Sequence, residues 1–494
     1  MNETALIAAA LLVPAAGAGL LAACGRWPNV REAITLGTSA LLVAAVLGLL
    51  PPVLGGARPA LVALEMLPGL AIAFRVEPLG MLFALVASAL WLVNSIYSIG
   101  YMRANDEPNQ TRFYACFALA LGATMGVALA ANLLTLFLFY ELLTLVTWPL
   151  VTHHGDAEAR SGGRVYLGFL LGTSIVFLLP AVVATWALAG TLDFAPDGLL
   201  KNAGLAPWAA ALLLALFMFG IGKAALMPLH RWLPAAMVAP TPVSALLHAV
   251  AVVKAGVFAV VKIIIYVFGV DTLAGLGAAA WLPFVAGFTI LAASVVALRA
   301  GNLKRRLAYS TVSQLSYVVL AASLLAPLSV AAAALHIAAH AVAKITLFFA
   351  AGAIYTASGK TQVGELDGIG RRMPWTMAAF TIGALSVIGI PPAAGFLSKW
   401  LMFQGAASAG HTAVLAVLAL STILNAAYLL PIVHAAFMRP PPASAAAHGE
   451  APGPMLAAMA LTAAATVALP FAAEVPLALA EAAAGLTTAA RGGR

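Results

Sequence analysis

The sequence is poor in charged residues, because Asp, Glu, Lys and Arg make up only 9 % of its 494 residues. Soluble chains carry about 25 % charged residues. Hydrophobic residues make up 63 % of the chain, which is more apolar surface than soluble cores of this size can hide. The composition therefore excludes a cytosolic enzyme, a nucleic-acid-binding protein and a disordered protein, and it leaves the membrane as the solvent.

Cysteine is equally scarce. Cys24 and Cys116 are the only two cysteines, and both lie in or beside apolar stretches. Two thiols are too few for an iron–sulfur cluster or a cysteine-rich zinc site. The sequence also has no haem-attachment or nucleotide-binding motif. We therefore expect no cofactor and no metal, and we do not expect the chain to carry electrons or hydrolyse ATP by itself.

Long apolar runs occupy most of the chain, and runs of this length cross the roughly 30 Å hydrocarbon core of a bilayer as helices. Only Glu3 is charged ahead of the first run, so that run lacks the basic start of a signal peptide and is interpreted as a retained span. The segment Pro440–Pro454 is predicted to be a loop. We predict an all-α polytopic membrane protein, a single membrane domain over 1–494, with about fourteen helices near 4–23, 34–54, 76–98, 113–131, 132–152, 164–189, 206–228, 242–269, 275–298, 305–325, 328–357, 374–402, 412–437 and 454–473.

Positive charge is unevenly distributed between alternate loops. With the N-terminus outside, the inward loops hold fifteen Lys and Arg residues, and the outward loops and tail hold five. Because Lys and Arg favour the cytoplasmic side, this bias predicts a multi-pass protein of the bacterial inner (cell) membrane with both termini in the periplasm.

Loops and the tail account for twenty of the twenty-five basic residues; the other five are lysines inside predicted spans, and Glu141 is the only acid deep in a span. A charge at mid-membrane is costly, so each is a candidate functional group. Lysine matters here because it can lose its proton when it is desolvated, whereas arginine stays charged. For Lys262, near the outer end of its helix, the favoured interpretation is snorkelling to the headgroups. The others are interpreted as proton carriers: Glu141, Lys223, Lys254, Lys344 and Lys399.

Histidines extend this pattern. His336, His340 and Lys344 recur every four residues and form one stripe on a helix. His248 precedes Lys254 by six residues, on a different face of the same helix. Neutral imidazole both donates and accepts hydrogen bonds, as a proton relay requires. Two alternatives stay open: a metal pair, which lacks a third ligand nearby, and histidines that only bond neighbouring helices.

Two further features concern the loops and a polar helix. His153 and His154 close a predicted helix and are interpreted as interfacial residues or as a proton entry. The predicted helix 305–325 has a polar face, and its hydroxyls either hold helices together or hold water between relay groups. The members of that face are Ser310, Thr311, Ser313, Gln314, Ser316 and Tyr317.

Two apolar runs are interrupted by glycine and proline, at Phe219–Pro242 and at Gly389–Trp400. Broken helices in two halves of a transporter indicate inverted repeats around a mid-membrane site. Each break carries one lysine, Lys223 in the first and Lys399 in the second. Two ordinary proline kinks are the alternative. The prolines that we predict to break the helices are Pro228, Pro234, Pro391 and Pro392.

Four stretches together resemble the antiporter-like membrane subunits shared by respiratory complex I and the Mrp-type monovalent cation/proton antiporters. The resemblance runs in order over roughly 100–405, and its first phrase, which ends in two histidines, is most similar to the D-type member of the Mrp antiporters. The stretches are FYELLTLVTWPLVTHH, GIGKAALMPLHRWLPAAMVAPTPVSALLHAVAVVKAGVF, HIAAHAVAKITLFFAAGAIY and GIPPAAGFLSKW.

This resemblance implies fourteen helices with two inverted five-helix repeats, helices 4–8 (113–269) and 9–13 (275–437), and discontinuous helices 7 and 12. It also implies a proton path near the membrane midplane and hetero-oligomeric membrane partners. Glu141 and Lys223 would act as a switchable ion pair, and Lys399 would exchange protons with the outside. Helix 164–189 has no acid where some members carry an aspartate, so Glu141 acts alone or with a neighbouring subunit. His248, Lys254, His336, His340 and Lys344 would form the relay between them.

The function that we expect is a proton-translocating subunit of a multisubunit monovalent cation/proton antiporter, with protons and Na+ or K+ as the transported ions. The alternative is a proton-pumping subunit of complex I or of a membrane-bound hydrogenase, in which case the chain would be part of a translocase. Two further interpretations are a partner in ion-coupled inorganic-carbon uptake and a purely structural scaffold. The chain ends soon after the last predicted helix, so we expect no long lateral helix like that of the largest complex I subunit.

Overall fold

The fold is a bundle of long apolar helices, described by a computed structural model for residues 2–441 and 448–486. Within these residues, ten helices are long and apolar enough to cross a membrane. The chain is therefore a multi-pass membrane protein, as its composition predicts. The number of crossings stays a prediction, because several helices are shorter or more polar than these ten.

The helices follow the predicted apolar runs closely. Each of the runs contains at least one helix, and most helix ends lie within a few residues of the predicted ends. The helices are α1 (Glu3–Cys24), α2 (Pro28–Leu54), α3 (Pro78–Ala104), α4 (Gln110–Ala128), α5 (Leu133–Val151), α6 (Ala157–Ala189), α7 (Pro207–Gly220), α8 (Trp232–Ala235), α9 (Thr241–Phe268), α10 (Val270–Leu276), α11 (Leu282–Arg299), α12 (Leu303–Ser323), α13 (Pro327–Ser358), α14 (Pro374–Ile388), α15 (Ala394–Ser408), α16 (Thr412–Met438), α17 (Gly453–Ala468) and α18 (Glu474–Ala483).

A β hairpin and the short helices α8, α10 and α18 were not predicted from the sequence. The loop after α2 forms an antiparallel hairpin of β1 (Ala60–Leu67) and β2 (Leu70–Arg75), which pairs Ala60 with Arg75. Its leucines and alanines give no clear alternation of apolar and polar residues, so the strands have no sequence signal. The short helix α18 also lies beyond the last predicted span. The predicted loop Pro440–Pro454 ends where α17 begins at Gly453, and its residues 442–447 lie outside the described part of the chain.

The centre of the bundle is formed by α9 and α13. Every residue of α9 is buried, and α13 is buried from Ser329 to Ile354. In contrast, α1, α2 and α16 bury only one side. The two helices that carry most of the buried lysines and histidines are thus the most enclosed elements of the fold.

Both predicted breaks exist. In the first, α7 ends at Gly220, and the chain then makes a short 3-10 turn from Gly222 to Ala224. In the second, α14 ends at Ile388, and the next residue, Gly389, has a φ of 95°, a left-handed conformation that favours glycine. Three of the four predicted prolines lie in non-helical linkers, whereas Pro234 lies within the short helix α8.

Candidate functional site

The first break places Lys223 against α5. The Lys223 side chain is fully buried, and its Nζ donates hydrogen bonds to the Tyr140 carbonyl oxygen at 2.8 Å and to the Thr144 hydroxyl. The same Nζ lies 3.2 Å from the centre of the Tyr140 ring, a cation–π contact. The Tyr140 hydroxyl in turn accepts a hydrogen bond from the Lys223 backbone N–H at 3.1 Å. Lys223 is therefore held by polar groups that the sequence did not single out.

Glu141 lies beside this lysine but does not bond to it. Both carboxylate oxygens of Glu141 are inaccessible and, apart from a contact with the Ser174 side chain on α6, have no hydrogen-bond partner among the described residues. The Lys223 ammonium is near enough to act on the charge of Glu141, yet no ion pair within 4 Å joins the two side chains. The expected pair is thus open in this structure, with Lys223 bonded to α5 instead. Whether the pair opens and closes stays a prediction.

Helix α9 packs directly on the first break. A Cβ atom added to Gly256 would lie 2.4 Å from the backbone carbon of Lys223, so only glycine permits this approach. Lys254, two residues earlier, is fully buried. No direct hydrogen bond joins Lys223 to Lys254 in the described part of the chain, although their backbones lie in adjacent segments.

The central link of the site is a hydrogen bond between Lys254 Nζ on α9 and His340 Nδ1 on α13. The two residues are 86 positions apart in the chain, and both are buried. The bond joins the helix of the first predicted repeat to a helix of the second. A proton on Lys254 therefore has an acceptor in the other half of the molecule.

The histidine stripe continues from His340 towards the second break. The rings of His336 and His340 are nearly parallel, with centres 5.9 Å apart. His336 Nδ1 forms a hydrogen bond of 2.8 Å with the hydroxyl of Ser398. The next residue, Lys399, donates from Nζ to the carbonyl oxygens of Val387 at 2.7 Å and Ile388 at 3.1 Å, at the end of α14. The break thus frees two carbonyls that bind the lysine.

Lys344 follows a separate branch through the polar face of α12. Its Nζ donates to the Ser310 hydroxyl at 2.8 Å, and this hydroxyl also accepts from the Tyr428 hydroxyl at 2.8 Å. On the same face, Ser313 bonds Ser294 of α11 at 3.0 Å. The polar face of α12 therefore has two roles: it contacts a relay lysine, and it holds two helices together.

Of the residues predicted to form the relay, His248 is the one without a hydrogen bond among the described residues. It is fully buried, and neither ring nitrogen has a hydrogen-bond partner within the described ranges. Its ring lies 4.9 Å from that of Phe348, and the charges of Lys344 and Lys304 act on it. The alternative interpretation, a histidine bonded by a neighbouring helix, does not apply in this structure.

Lys262 corrects the sequence interpretation. Snorkelling predicts an exposed ammonium, but the Lys262 side chain is fully buried. Its Nζ lies 3.0 Å from a carboxylate oxygen of Glu77 and donates to the Ala130 carbonyl oxygen at 2.7 Å. Arg75 binds the other Glu77 oxygen at 2.9 Å. Glu77 was not predicted as a partner of Lys262, although an acid at the edge of an apolar run was the available signal.

A second polar cluster lies at the N-terminal end of α9, in loops that the distribution of Lys and Arg predicts to face inward. Glu107 contacts His154 at 3.2 Å, and this hydrogen bond raises the pKa of His154. Burial lowers the pKa of His153 to about 4, against the opposing charge of Glu107. A cavity of about 350 Å³ is lined by Glu107, His154, Lys304 and Thr241, the first residue of α9. The cavity therefore lies at the beginning of the helix that carries His248 and Lys254.

Protein-family comparison identifies most of the chain. Residues 130–425 match the family described as NADH:quinone oxidoreductase/Mrp antiporter, transmembrane. Residues 69–114 match the N-terminal region of chain 5 of NADH-ubiquinone oxidoreductase (complex I). The first match covers more than half of the sequence and includes both breaks and every proposed relay residue.

Two curated relatives show how the family divides. The A/B component of a probable K(+)/H(+) antiporter of Rhizobium meliloti is 33 % identical over 385 residues, 76 % of this chain and 37 % of that protein. The N component of the NADH-quinone oxidoreductase of Desulforudis audaxviator is 34 % identical over 389 residues, 76 % of this chain and 75 % of that protein. The chain thus spans about a third of the first relative and three quarters of the second.

A solved structure has the same fold. A chain of the Mrp complex from Dietzia sp. superposes with a TM-score of 0.87, covering 98 % of this chain and 97 % of that chain at 24 % sequence identity. At this identity the likeness concerns the fold alone.

Proposed function

Because the chain belongs to the NADH:quinone oxidoreductase/Mrp antiporter family, we propose that it is the proton-translocating subunit of a multisubunit monovalent cation/proton antiporter. In this proposal the chain crosses a bacterial inner membrane fourteen times, with both termini outside. The inverted repeats cover 113–269 and 275–437. The two histidines after α5 favour the D-type member of the Mrp antiporters.

The observation that carries this proposal is the Lys254–His340 hydrogen bond, which links two buried proton-binding groups across the repeats. From His340 the stacked His336 ring, Ser398 and Lys399 extend the line to the second break. Each of these side chains can gain or lose a proton on a nitrogen or oxygen atom. A structural scaffold has no need for such groups in a membrane interior.

The proposed cycle begins at the first break. A closed Glu141–Lys223 pair keeps Lys223 protonated, because an opposite charge favours the ionised amine. When Glu141 turns to a neighbouring subunit, Lys223 is left desolvated and passes its proton to Lys254 or His248. The inward cavity beside Glu107 and His154 supplies the next proton. The proton that reached Lys254 passes to His340 and then, by way of His336 and Ser398, towards Lys399, where it leaves to the outside; Lys344 is a side branch of this relay.

A second candidate function is a proton-pumping subunit of complex I or of a membrane-bound hydrogenase. The similarity to the N component of an NADH-quinone oxidoreductase favours it, because that match covers 75 % of the relative. The relay would be unchanged, and the energy would come from redox chemistry in partner subunits instead of a cation gradient. This chain would then work only within an electron-transferring complex.

Purification of the intact complex in mild detergent distinguishes the two candidates. Small membrane subunits and Na+- or K+-driven proton movement in vesicles support the antiporter. Co-purified iron–sulfur subunits, with proton movement only during quinone or proton reduction, refute it in favour of the second candidate.

The relay itself is tested in the same vesicles. Glu141→Ala or Lys223→Ala should abolish proton movement while the complex still assembles. The matched control is Lys201→Ala. Lys201 forms an exposed ion pair with Asp197 in a loop that is predicted to face outward, away from the relay. Wild-type proton movement in both relay variants would refute the mechanism.

A further inference from the structure

The inward face carries a cavity that the proton relay does not use. It has a volume of about 730 Å³ and lies where α2 begins, α3 ends and α4 begins. Three arginines line it, Arg31, Arg103 and Arg112, against two acids, Glu32 and Asp106. Arginines are common in loops on the cytoplasmic side of a membrane protein. These three are unusual because they line one cavity.

Arg31 is the most enclosed of these arginines, with 7 % of its surface exposed. Its Nη2 donates to the side-chain oxygen of Gln110, and its guanidinium lies 5.5 Å from the centre of the Tyr114 ring. Its Nε has no hydrogen-bond partner among the described residues. This Nε is itself inaccessible, so the positive charge that Arg31 offers to an anion in the cavity lies on the terminal nitrogens of its guanidinium.

Two helix N-termini face the same cavity. α2 begins at Pro28 after Trp27, and α4 begins at Gln110 after Asn109, and neither preceding residue caps its helix with a side-chain hydrogen bond. Pro28, Asn109 and Gln110 all line the cavity. The positive ends of two helix dipoles therefore add to the attraction for an anion.

The two acids of the lining do not cancel this attraction. Both oxygens of Glu32 accept hydrogen bonds from Arg103, so this pair is neutral as a unit. Asp106 is exposed at the rim. Arg31 and Arg112 remain, and Arg112 is exposed with only its Nη2 engaged, by the His153 carbonyl oxygen at 2.9 Å. The balance of charge in the cavity is positive.

We propose that this cavity binds the phosphate of an anionic phospholipid from the cytoplasmic leaflet. The phosphate would lie on Arg31 and Arg112, between the two helix N-termini. A lipid is favoured over a soluble phosphate because Trp27, 60 % exposed beside the cavity, is a residue typical of the headgroup level. The adjoining helices α1 and α2 also present exposed leucines such as Leu41 for acyl chains. Basic pockets between membrane helices bind anionic headgroups in this way.

Native mass spectrometry of the full-length protein tests the proposal, with phosphatidylglycerol, phosphatidylcholine and inorganic phosphate as separate probes. Phosphatidylglycerol should be retained and phosphatidylcholine lost. Arg31→Gln should weaken phosphatidylglycerol binding by at least about tenfold, since it removes a charge-assisted hydrogen bond. Arg112→Gln should weaken it as well, and this exposed position keeps the test valid if Arg31→Gln does not fold.

The control is Arg58→Gln, because Arg58 lies beyond the other end of α2 and donates to its own loop at Ala57. This variant should bind phosphatidylglycerol like the wild type. Equal retention of both lipids, or unchanged binding in Arg112→Gln, would overturn the proposal. Binding of inorganic phosphate that displaces phosphatidylglycerol would overturn the lipid source and leave a site for a soluble phosphate.

Discussion

The Lys262–Glu77 pair gives the sharpest test of which buried lysines carry protons. Lys262 contacts Glu77 at 3.0 Å, whereas no acid lies within ion-pair distance of the other buried lysines in the described residues. We therefore expect Lys262 to stabilise the junction between the β hairpin and α9, and to take no part in transport.

The expected magnitudes follow from what each substitution leaves behind. Glu77→Gln leaves the buried Lys262 ammonium with the Ala130 carbonyl oxygen and nearby aromatic rings but no opposite charge, and an uncompensated buried charge lowers the free energy of unfolding by about 3–5 kcal/mol. Lys262→Met leaves Glu77 bonded to Arg75, so the loss should be smaller, about 1–3 kcal/mol. Replacing both partners removes the unpaired charge, so the double variant should lose less than the sum of the two losses.

Unfolding in detergent, followed by tryptophan fluorescence, measures these free energies, and proton movement in vesicles measures function per assembled protein. The reasoning predicts that Lys262→Met moves protons at the wild-type rate. Additive losses in the double variant, or a Lys262→Met protein that assembles but moves no protons, would refute it.

Three further predictions concern the site and its entry. Gly256→Ala should lower stability by about 1–3 kcal/mol and slow proton movement, because the added Cβ would overlap the Lys223 backbone. The control is Gly275→Ala, which should do neither, because the space around Gly275 is open. Equal effects of the two substitutions would contradict this packing. Ser310→Ala should reduce proton movement by removing the hydrogen bond to Lys344, and unchanged rates in vesicles would place that branch outside the relay. Glu107→Gln should lower the pKa of His154 towards its ordinary value, as an NMR titration of labelled histidines would show. Because Glu107 raises this pKa, the pair stabilises the fold below about pH 6.5, and that contribution is lost as the pH rises through the raised pKa.

The sequence was sufficient to predict the features that each belong to a single helix or a single break. Apolar runs predicted the helices, glycine and proline predicted both breaks, and the four-residue spacing placed His336 and His340 on one stripe. These features are local, because each follows from the composition or period of one segment.

What the sequence did not predict depends on contacts between distant segments. The bond from Lys254 to His340 requires two helices to meet in a particular rotation, and no local pattern fixes that rotation. The same holds for Lys262, whose partner Glu77 lies in a distant segment of the chain, and which was therefore expected at the headgroups. The hairpin β1–β2 was missed because strand pairing is non-local and its side chains do not alternate.

Proton/cation exchange by Lys223→Arg in vesicles is the most direct test of the proposed relay, because arginine preserves the charge at this position but does not release its proton. Co-purification of the partner subunits first establishes that the variant complex is assembled. The relay predicts an assembled complex in which exchange falls to the background rate. An assembled Lys223→Arg complex that exchanges ions at the wild-type rate would contradict it.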